Sequence, residues 1–244
     1  MTRKIRLGVN IDHVATLRNA RKENFPNLIK VAEILSRLSV DLITVHLRED
    51  RRHIMDEDVF DLKKMNFLPL NLEMAATEEM KDICTKLEPD FCCIVPEKRA
   101  ELTTEGGLNV KGQSKYLVDF VKSIKSKNIF LSLFVDPDIE QIEAAKDVGA
   151  DAVELHTGKY SRLFKTESFN EELTRIKKAS IFCSQIGLKC HAGHGLDFDN
   201  VKNISSIENI IELNVGHFLV SQSIFDGLEK TIIKFREIID DSRH

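Results

Sequence analysis

The sequence predicts an α/β fold of the (β/α)8 TIM barrel class, with parallel strands and an active site at their C-terminal ends. Three observations predict it. Strand and helix signals alternate from end to end of the 244 residues, and strict alternation implies a parallel sheet. Eight such units in this length match a barrel of about 250 residues. An open doubly wound sheet, the competing fold, would carry a Gly-rich dinucleotide turn after its first strand. The turn here reads Asn10-Ile11-Asp12-His13 instead. No linker, low-complexity stretch or composition break interrupts the rhythm, so a single domain over residues 1–244 is expected.

The first strand is read at Leu7–Asp12, where Leu7, Val9 and Ile11 oppose Gly8, Asn10 and Asp12. Asn27 is a natural N-cap for a helix over Leu28–Leu38, with Ile29, Ala32, Ile34 and Leu35 as its apolar stripe. Asp41–Arg48 alternates strictly, Ile43, Val45 and Leu47 against Thr44, His46 and Arg48. A helix follows over Asp56–Lys64, then a strand over Leu68–Glu73. Thr77 caps a helix through Leu87, with Glu78 and Glu79 suited to its positive N-terminus. The fourth strand is Phe91–Val95.

The second half repeats the pattern. A Gly-containing loop, Thr103–Gly107, precedes a helix over Gln113–Lys125. Then come a strand over Ile129–Val135, a helix over Asp138–Val148 and a strand over Ala152–His156. After a polar loop, a helix spans Glu171–Ile186 and a strand Leu188–Ala192. A short helix from Asn200, a strand over Ile211–Val215 and one closing helix from His217 complete the chain. Gly149–His156 echoes Ser39–His46, a weak sign of internal repetition.

Composition excludes several classes of function. A hydrophobic content of 42% and a charged content of 30% are those of a globular protein with material for a core. A formal net charge of −4 disfavours a general nucleic-acid or membrane-surface binder. No apolar run approaches the ~18 residues of a membrane span, and Met1-Thr2-Arg3-Lys4 leads at once into a strand, leaving no room for a signal peptide. The five cysteines, Cys84, Cys92, Cys93, Cys183 and Cys190, lack C-x-x-C spacing and read as reduced core residues of a cytoplasmic protein.

In a barrel the inward-facing residues at the strand ends converge on one mouth. Alternation places Asn10, Asp12, His46, Arg48, Asn71, Glu73, Glu97, Asp136, Glu154, His156 and His194 there. A single buried histidine is ordinarily a satisfied core residue, whereas strand after strand ending in acids, bases and amides reads as an active site. Histidines and carboxylates in a water-poor mouth suit proton transfer. Arg21, Arg48, Arg51 and Arg52, with the Thr103–Gly107 loop, suit phosphate or carboxylate, because guanidinium forks match oxyanions. Gly195 and Gly216-His217 offer backbone N–H groups as a second anion site. A solvated turn is the plain alternative for Arg51 and Arg52. A metal is the rival occupant, since the same side chains bind zinc or manganese. No H-x-H or H-E-x-x-H spacing supports it. Lys189, on the outward face of the seventh strand, and Lys98, in a loop, are not expected to act as nucleophiles.

Several stretches resemble the pyridoxine 5′-phosphate synthase family in order along residues 5–239. They are Gly8–Arg18, Thr44–His53, Asn71–Ala75, Val95–Arg99, Thr103–Leu108, Glu154–Gly158, Ala192–Leu196 and Leu213–His217. The resemblance implies a cofactor-free and metal-free enzyme of vitamin B6 synthesis. Such an enzyme condenses 3-amino-2-oxopropyl phosphate with 1-deoxy-D-xylulose 5-phosphate, giving pyridoxine 5′-phosphate, inorganic phosphate and water. It implies His46 and Glu73 as proton acceptors, His194 as proton donor and Glu154 as stabiliser of a cationic transition state. Asp12, His13, Arg48, His53 and Thr103 would hold the deoxyxylulose phosphate, and Asn10, Arg21, Gly195, Gly216 and His217 the amino ketone phosphate. A homo-octamer built as a tetramer of dimers is implied as well. Two positions depart from the family pattern. His191 stands where an asparagine is usual, on a face read as pointing outward to the helices, and Gln222 replaces an arginine in the closing helix. A metal-dependent barrel aldolase or hydrolase acting on a phosphorylated sugar, and a catalytically silent phosphometabolite-binding barrel, are the alternatives.

Overall fold

The computed structural model describes residues 4–103 and 105–243. Met1–Arg3, where no targeting segment is expected, Thr104 in the predicted anion loop, and His244 lie outside the described residues. Eight parallel strands close into a barrel in sequence order. They are β1 (Arg6–Asn10), β2 (Leu42–His46), β3 (Leu70–Met74), β4 (Phe91–Ile94), β5 (Phe130–Val135), β6 (Ala152–His156), β7 (Lys189–Gly193) and β8 (Ile210–Val215). Closure is made by β8 against β1, with Arg6 opposite Glu212 and Gly8 opposite Asn214.

The helices among the described residues are α1 (Asp12–Arg21), α2 (Leu28–Ser36), α3 (Asp56–Met65), α4 (Glu78–Leu87), α5 (Val110–Lys125) and α6 (Ile139–Asp147), then α7 (Gly158–Leu163), α8 (Phe169–Gln185), α9 (Val201–Ser205), α10 (His217–Asp226) and α11 (Leu228–Asp241). Caps start several of them as their residue types predict. Asn27 Oδ1 accepts from Lys30 N–H at 2.9 Å, Thr77 Oγ1 from Met80 N–H at 3.3 Å and Asn109 Oδ1 from Gly112 N–H at 3.0 Å. Each such cap stabilises its helix by about 1 kcal/mol. None of the helices is long and apolar enough to cross a membrane. The five cysteines are free and buried.

Four expectations are corrected. Asp12 does not end the first strand but begins α1, which was not expected. That helix buries only Asp12, Val14 and Ala15, too short a stripe to produce helical periodicity. The polar loop after β6 contains α7. The closing helix is two helices, because Gly227 adopts φ +82° between α10 and α11 and leaves Phe225 82% exposed. The face of β7 is inverted. Cys190 packs outward beside Cys183 of α8, so His191 and Lys189 point into the barrel, and Lys189 lies over the Phe130 ring at its floor.

The inversion follows from the composition of the barrel interior. Such interiors are ordinarily filled by branched apolar side chains. Here the apolar packing lies between the outer face of the sheet and the helices, through residues such as Leu7, Val45, Leu72, Ile94, Leu133 and Leu155. The inner face is mostly polar, with Phe91 and Phe130 among the charged groups at its floor. Arg6 Nη2 sits 2.6 Å from Glu212 Oε2, His191 Nδ1 sits 3.1 Å from Glu212 Oε1, and the His191 ring stacks on Phe130. Above them, Thr44 Oγ1 donates to Asn214 Oδ1 at 2.8 Å and Asn71 Nδ2 to Thr44 Oγ1 at 3.3 Å. Two glycines make the room. A Cβ at Gly8 would stand 2.1 Å from Asn214 Oδ1, and one at Gly193 would stand 2.2 Å from Glu154 Oε1.

Candidate active site

The C-terminal strand ends and the loops beyond them enclose a cavity of about 880 Å³. Of the residues to which the resemblance assigns a role, Asn10, Asp12, His13, His46, Arg48, His53, Glu73, Glu154, His194, Gly195, Gly216 and His217 line it. Two do not. Arg21, at the end of α1, is 79% exposed and lies 3.8 Å from Glu23 Oε1. Thr103 donates its hydroxyl to Asp136 Oδ2. Arg51 is held by Asp56 and Glu79, the structural role that a turn arginine ordinarily has.

At one side stand His46, Asp12 and Glu73. His46 Nε2 pairs with Glu97 Oε1 at 2.8 Å, which leaves Nδ1 as its basic atom when Nε2 carries the proton. Burial opposes the charge on Glu97, yet the bonds from His46 and from Glu49 N–H keep its carboxyl below the ordinary range. Asp12 Oδ1 accepts from His46 N–H at 2.8 Å and Oδ2 from Asn10 Nδ2 at 2.9 Å. Burial nevertheless pushes the Asp12 carboxyl up. Glu73, reached by Asn10 Nδ2 at 3.4 Å, is pushed well above the carboxylate range by burial and then by the charges of Glu154 and Asp12.

Glu154 lies deeper, buried at the centre of the barrel. Asn214 Nδ2 donates to its Oε2 at 2.8 Å, while burial and the nearby Glu212 charge push its carboxyl up to about 8. His194 stands across the mouth at φ +80°, a conformation imposed by the turn leaving β7. Burial and the neighbouring His156, Arg162 and His217 hold its imidazole down at about 4. The His156 and His194 rings are 4.9 Å apart, and His156 Nδ1 pairs with Asp136 Oδ1 at 3.3 Å.

The rim is rich in positive or donor groups. Arg48 is 3.8 Å from Glu97 and 3.7 Å from Asp50, and its buried Nε has no hydrogen-bond partner among the described residues. His13 packs 5.5 Å from His53 and 5.0 Å from His217, with Thr16 Oγ1 2.9 Å from His53 Nδ1. Burial lowers both His13 and His53. Gly216, the N-cap of α10, passes so close to Asn10 that a Cβ there would stand 2.8 Å from Asn10 Cβ.

Sequence reasoning missed Asn214, Glu212, Phe134 and Arg162. Glu212-Leu213-Asn214-Val215 carries the same alternation as β2, which would have found the first two. Arg162, on the unexpected α7, had no pattern to mark it. One group of three among the described residues, Asp12, His46 and Glu73, has its donor atoms within 4.8 Å of one another and could hold a metal ion.

A family model, the pyridoxal phosphate biosynthesis protein PdxJ, matches residues 7–241. The chain belongs to the PdxJ family. Among its relatives, the pyridoxine 5′-phosphate synthase of Sulfurihydrogenibium sp. (strain YO3AOP1) is 51% identical over 242 residues, 98% of this chain and 99% of the relative. The enzyme of the same name from Zymomonas mobilis is 49% identical, over 100% of this chain and 94% of its own. More distant solved structures share the barrel alone. Orotidine 5′-monophosphate decarboxylase from Methanocaldococcus jannaschii superposes with a TM-score of 0.64 at 13% identity, over 97% of this chain and 99% of its own. Within the PdxJ framework, the polar interior leads without a break from the barrel floor to the cavity.

Proposed function

We propose that this chain is a pyridoxine 5′-phosphate synthase, as its PdxJ relatives are named, and that the cavity is its active site. It would condense 3-amino-2-oxopropyl phosphate with 1-deoxy-D-xylulose 5-phosphate, releasing inorganic phosphate and water. The observation that carries the reading is the meeting of His46, Glu73, Glu154 and His194 in one cavity whose rim supplies cationic and N–H groups.

The chemistry needs such a set. Imine formation between the amino group and the sugar ketone loses water, phosphate elimination breaks a C–O bond beside an acidified C–H, and ring closure forms a C–C bond. Every step moves protons, and a positioned group contributes about 10²–10⁴-fold to each. His46, oriented by Glu97, takes a proton from carbon. Glu73 begins protonated, so it can give a proton to a leaving hydroxyl and then act as acceptor. Glu154, buried below the cavity, is assigned to stabilise the cationic transition state. His194, neutral by itself, gains basicity when a phosphate dianion is bound, and so becomes a donor to a leaving oxygen.

Arg48 Nε, with Asp12, His13 and His53, is assigned to the deoxyxylulose phosphate. Gly195, Gly216, His217 and Asn10 are assigned to the amino ketone phosphate, where the start of α10 offers N–H groups to an anion; Arg21 and Thr103, outside the cavity, take no part in this assignment. A cytoplasmic homo-octamer remains part of the proposal, tested by sedimentation. The assay supplies both phosphorylated substrates in chelator-treated buffer and follows pyridoxine 5′-phosphate and inorganic phosphate together. Equal appearance of both supports the reading. Activity only with an added divalent cation would favour the second reading, a metal-dependent barrel using Asp12, His46 and Glu73.

A further inference from the structure

The Glu154 carboxyl does not end the polar interior. Asn214 Nδ2 donates to Glu154 Oε2 at 2.8 Å and to Glu212 Oε1 at 3.1 Å, so one amide group joins two buried acids. Its orientation is fixed, because Asn214 Oδ1 accepts from Thr44 Oγ1 at 2.8 Å. A flipped amide would set its oxygen against two carboxyl oxygens. Glu212 is held in turn by Arg6 Nη2 at 2.6 Å and His191 Nδ1 at 3.1 Å. The line from floor to site is therefore Arg6 and His191, Glu212, Asn214, Glu154, with each link made by side chains on the inner face of β1, β6, β7 and β8.

We propose that Glu212, anchored by His191 and Arg6, is a positioning residue that sets the orientation and charge of Glu154 through the Asn214 amide. The proposal deepens the synthase reading and rests on it for its kinetic readout. Two like charges joined by one amide and sealed from water cannot both be present cheaply. Glu212 has Arg6 and His191 to stabilise its charge, and these hold its carboxyl below the usual range although burial opposes them. Among the described residues no lysine or arginine pairs with Glu154, and its register neighbour His191 is turned to Glu212. Glu154 faces Glu212 and Asn214 from β8, His191 from β7, Glu73 from β3 and Cys93 from β4, while its β5 neighbour in register is Phe134. The proton therefore resides on Glu154, at the end of the line where chemistry can use it.

The test reads the carbonyl stretch of a buried protonated carboxyl by infrared spectroscopy. Glu154 is identified as the band absent from Glu154→Gln, and the band is followed with pH in the intact protein. Glu212→Gln removes the repelling charge and should move the midpoint of that band down by about one pH unit or more. Arg6→Gln, at the outer edge of the floor, strips a cation from Glu212, shifts the shared proton toward Glu212 and should move the Glu154 midpoint down as well, so this second variant keeps the test sound if Glu212→Gln fails to fold. Glu212→Asp, which keeps the charge, should restore a midpoint near the wild type. The limb of the kcat profile that follows Glu154 should shift with the band, with KM for both substrates unchanged within about twofold. An unmoved midpoint in folded Glu212→Gln, or in Arg6→Gln where the first does not fold, overturns the proposal. A wild-type protein that forms no pyridoxine 5′-phosphate, but whose band shifts as stated, overturns the synthase reading and leaves the positioning role standing.

Discussion

Glu97 Oε1 lies 2.8 Å from His46 Nε2, so the histidine at the end of β2 is held by a carboxylate from beyond β4. The pair fixes the orientation of the ring and which of its nitrogens is free. Glu97→Gln keeps the shape but removes the charge. It should lower kcat by about 10²-fold or more, with little change in KM. Steady-state kinetics in both substrates check it, and an unchanged kcat would remove Glu97 from the machinery.

Arg48 presents beside the cavity a buried Nε without a hydrogen-bond partner among the described residues. A charge-assisted bond from this atom to a phosphate oxygen is worth about 1.5–3 kcal/mol. Arg48→Gln should therefore raise the Kd of the deoxyxylulose phosphate about 10- to 100-fold, measured calorimetrically, while the amino ketone phosphate binds as before. Arg48→Lys should recover little, since it lacks the Nε–H.

Glu154 makes folding sensitive to alkali. Its carboxyl is raised in the folded state to about 8, above an unfolded value of about 4.3. The folded state thus binds the extra proton, and this contribution is full below the unfolded pKa and is lost as pH rises toward 8. Glu154→Gln cannot titrate. Its stability relative to the wild type should improve steadily between about pH 5 and pH 8, read from urea midpoints. A constant difference across that range would show that Glu154 is not protonated by folding.

His194 runs the other way. Its imidazole is held at about 4 against about 6.5 unfolded, so its contribution is present above the unfolded pKa and is lost as pH falls toward 4. Inorganic phosphate in the cavity should raise its pKa, and phosphate should in turn bind more tightly at pH 5.5 than at pH 8. Proton-detected titration of the His194 ring with and without phosphate measures both. No shift on binding would detach His194 from the anion site.

Gly193 packs against the buried carboxyl of Glu154. A methyl group there would lie 2.2 Å from Glu154 Oε1 and 2.9 Å from the Asn214 carbonyl oxygen. Gly193→Ala should displace Glu154 and lower kcat at least tenfold, with circular dichroism unchanged.

The strands were legible wherever their outer face is apolar and their inner face polar, as in β2, where Ile43 and Val45 oppose Thr44 and His46. That contrast also located His46, Glu73, Glu154 and the glycine-flanked His194. On β7 it misled. Lys189 and His191 look like surface residues, and nothing local says that a glutamate from β8 and an aromatic from β5 await them inside. The helix α1 was hidden because it buries only Asp12, Val14 and Ala15, and its first turn gives Asp12 and His13 to the cavity. The place of Arg21 outside the cavity was equally hidden, since a side chain's reach depends on the tertiary path of α1 and not on the arginines near it in sequence.

The polar lumen has a consequence for how this barrel tolerates change. Its strands are gripped from outside, as staves are by hoops, by the aliphatic layer under the helices. Side chains in the lumen can then be exchanged for others of similar volume without loosening the grip, although buried ionisable ones such as Glu154 and His194 still weight stability with pH. A scaffold divided in this way can drift far on its inner wall while keeping its shape.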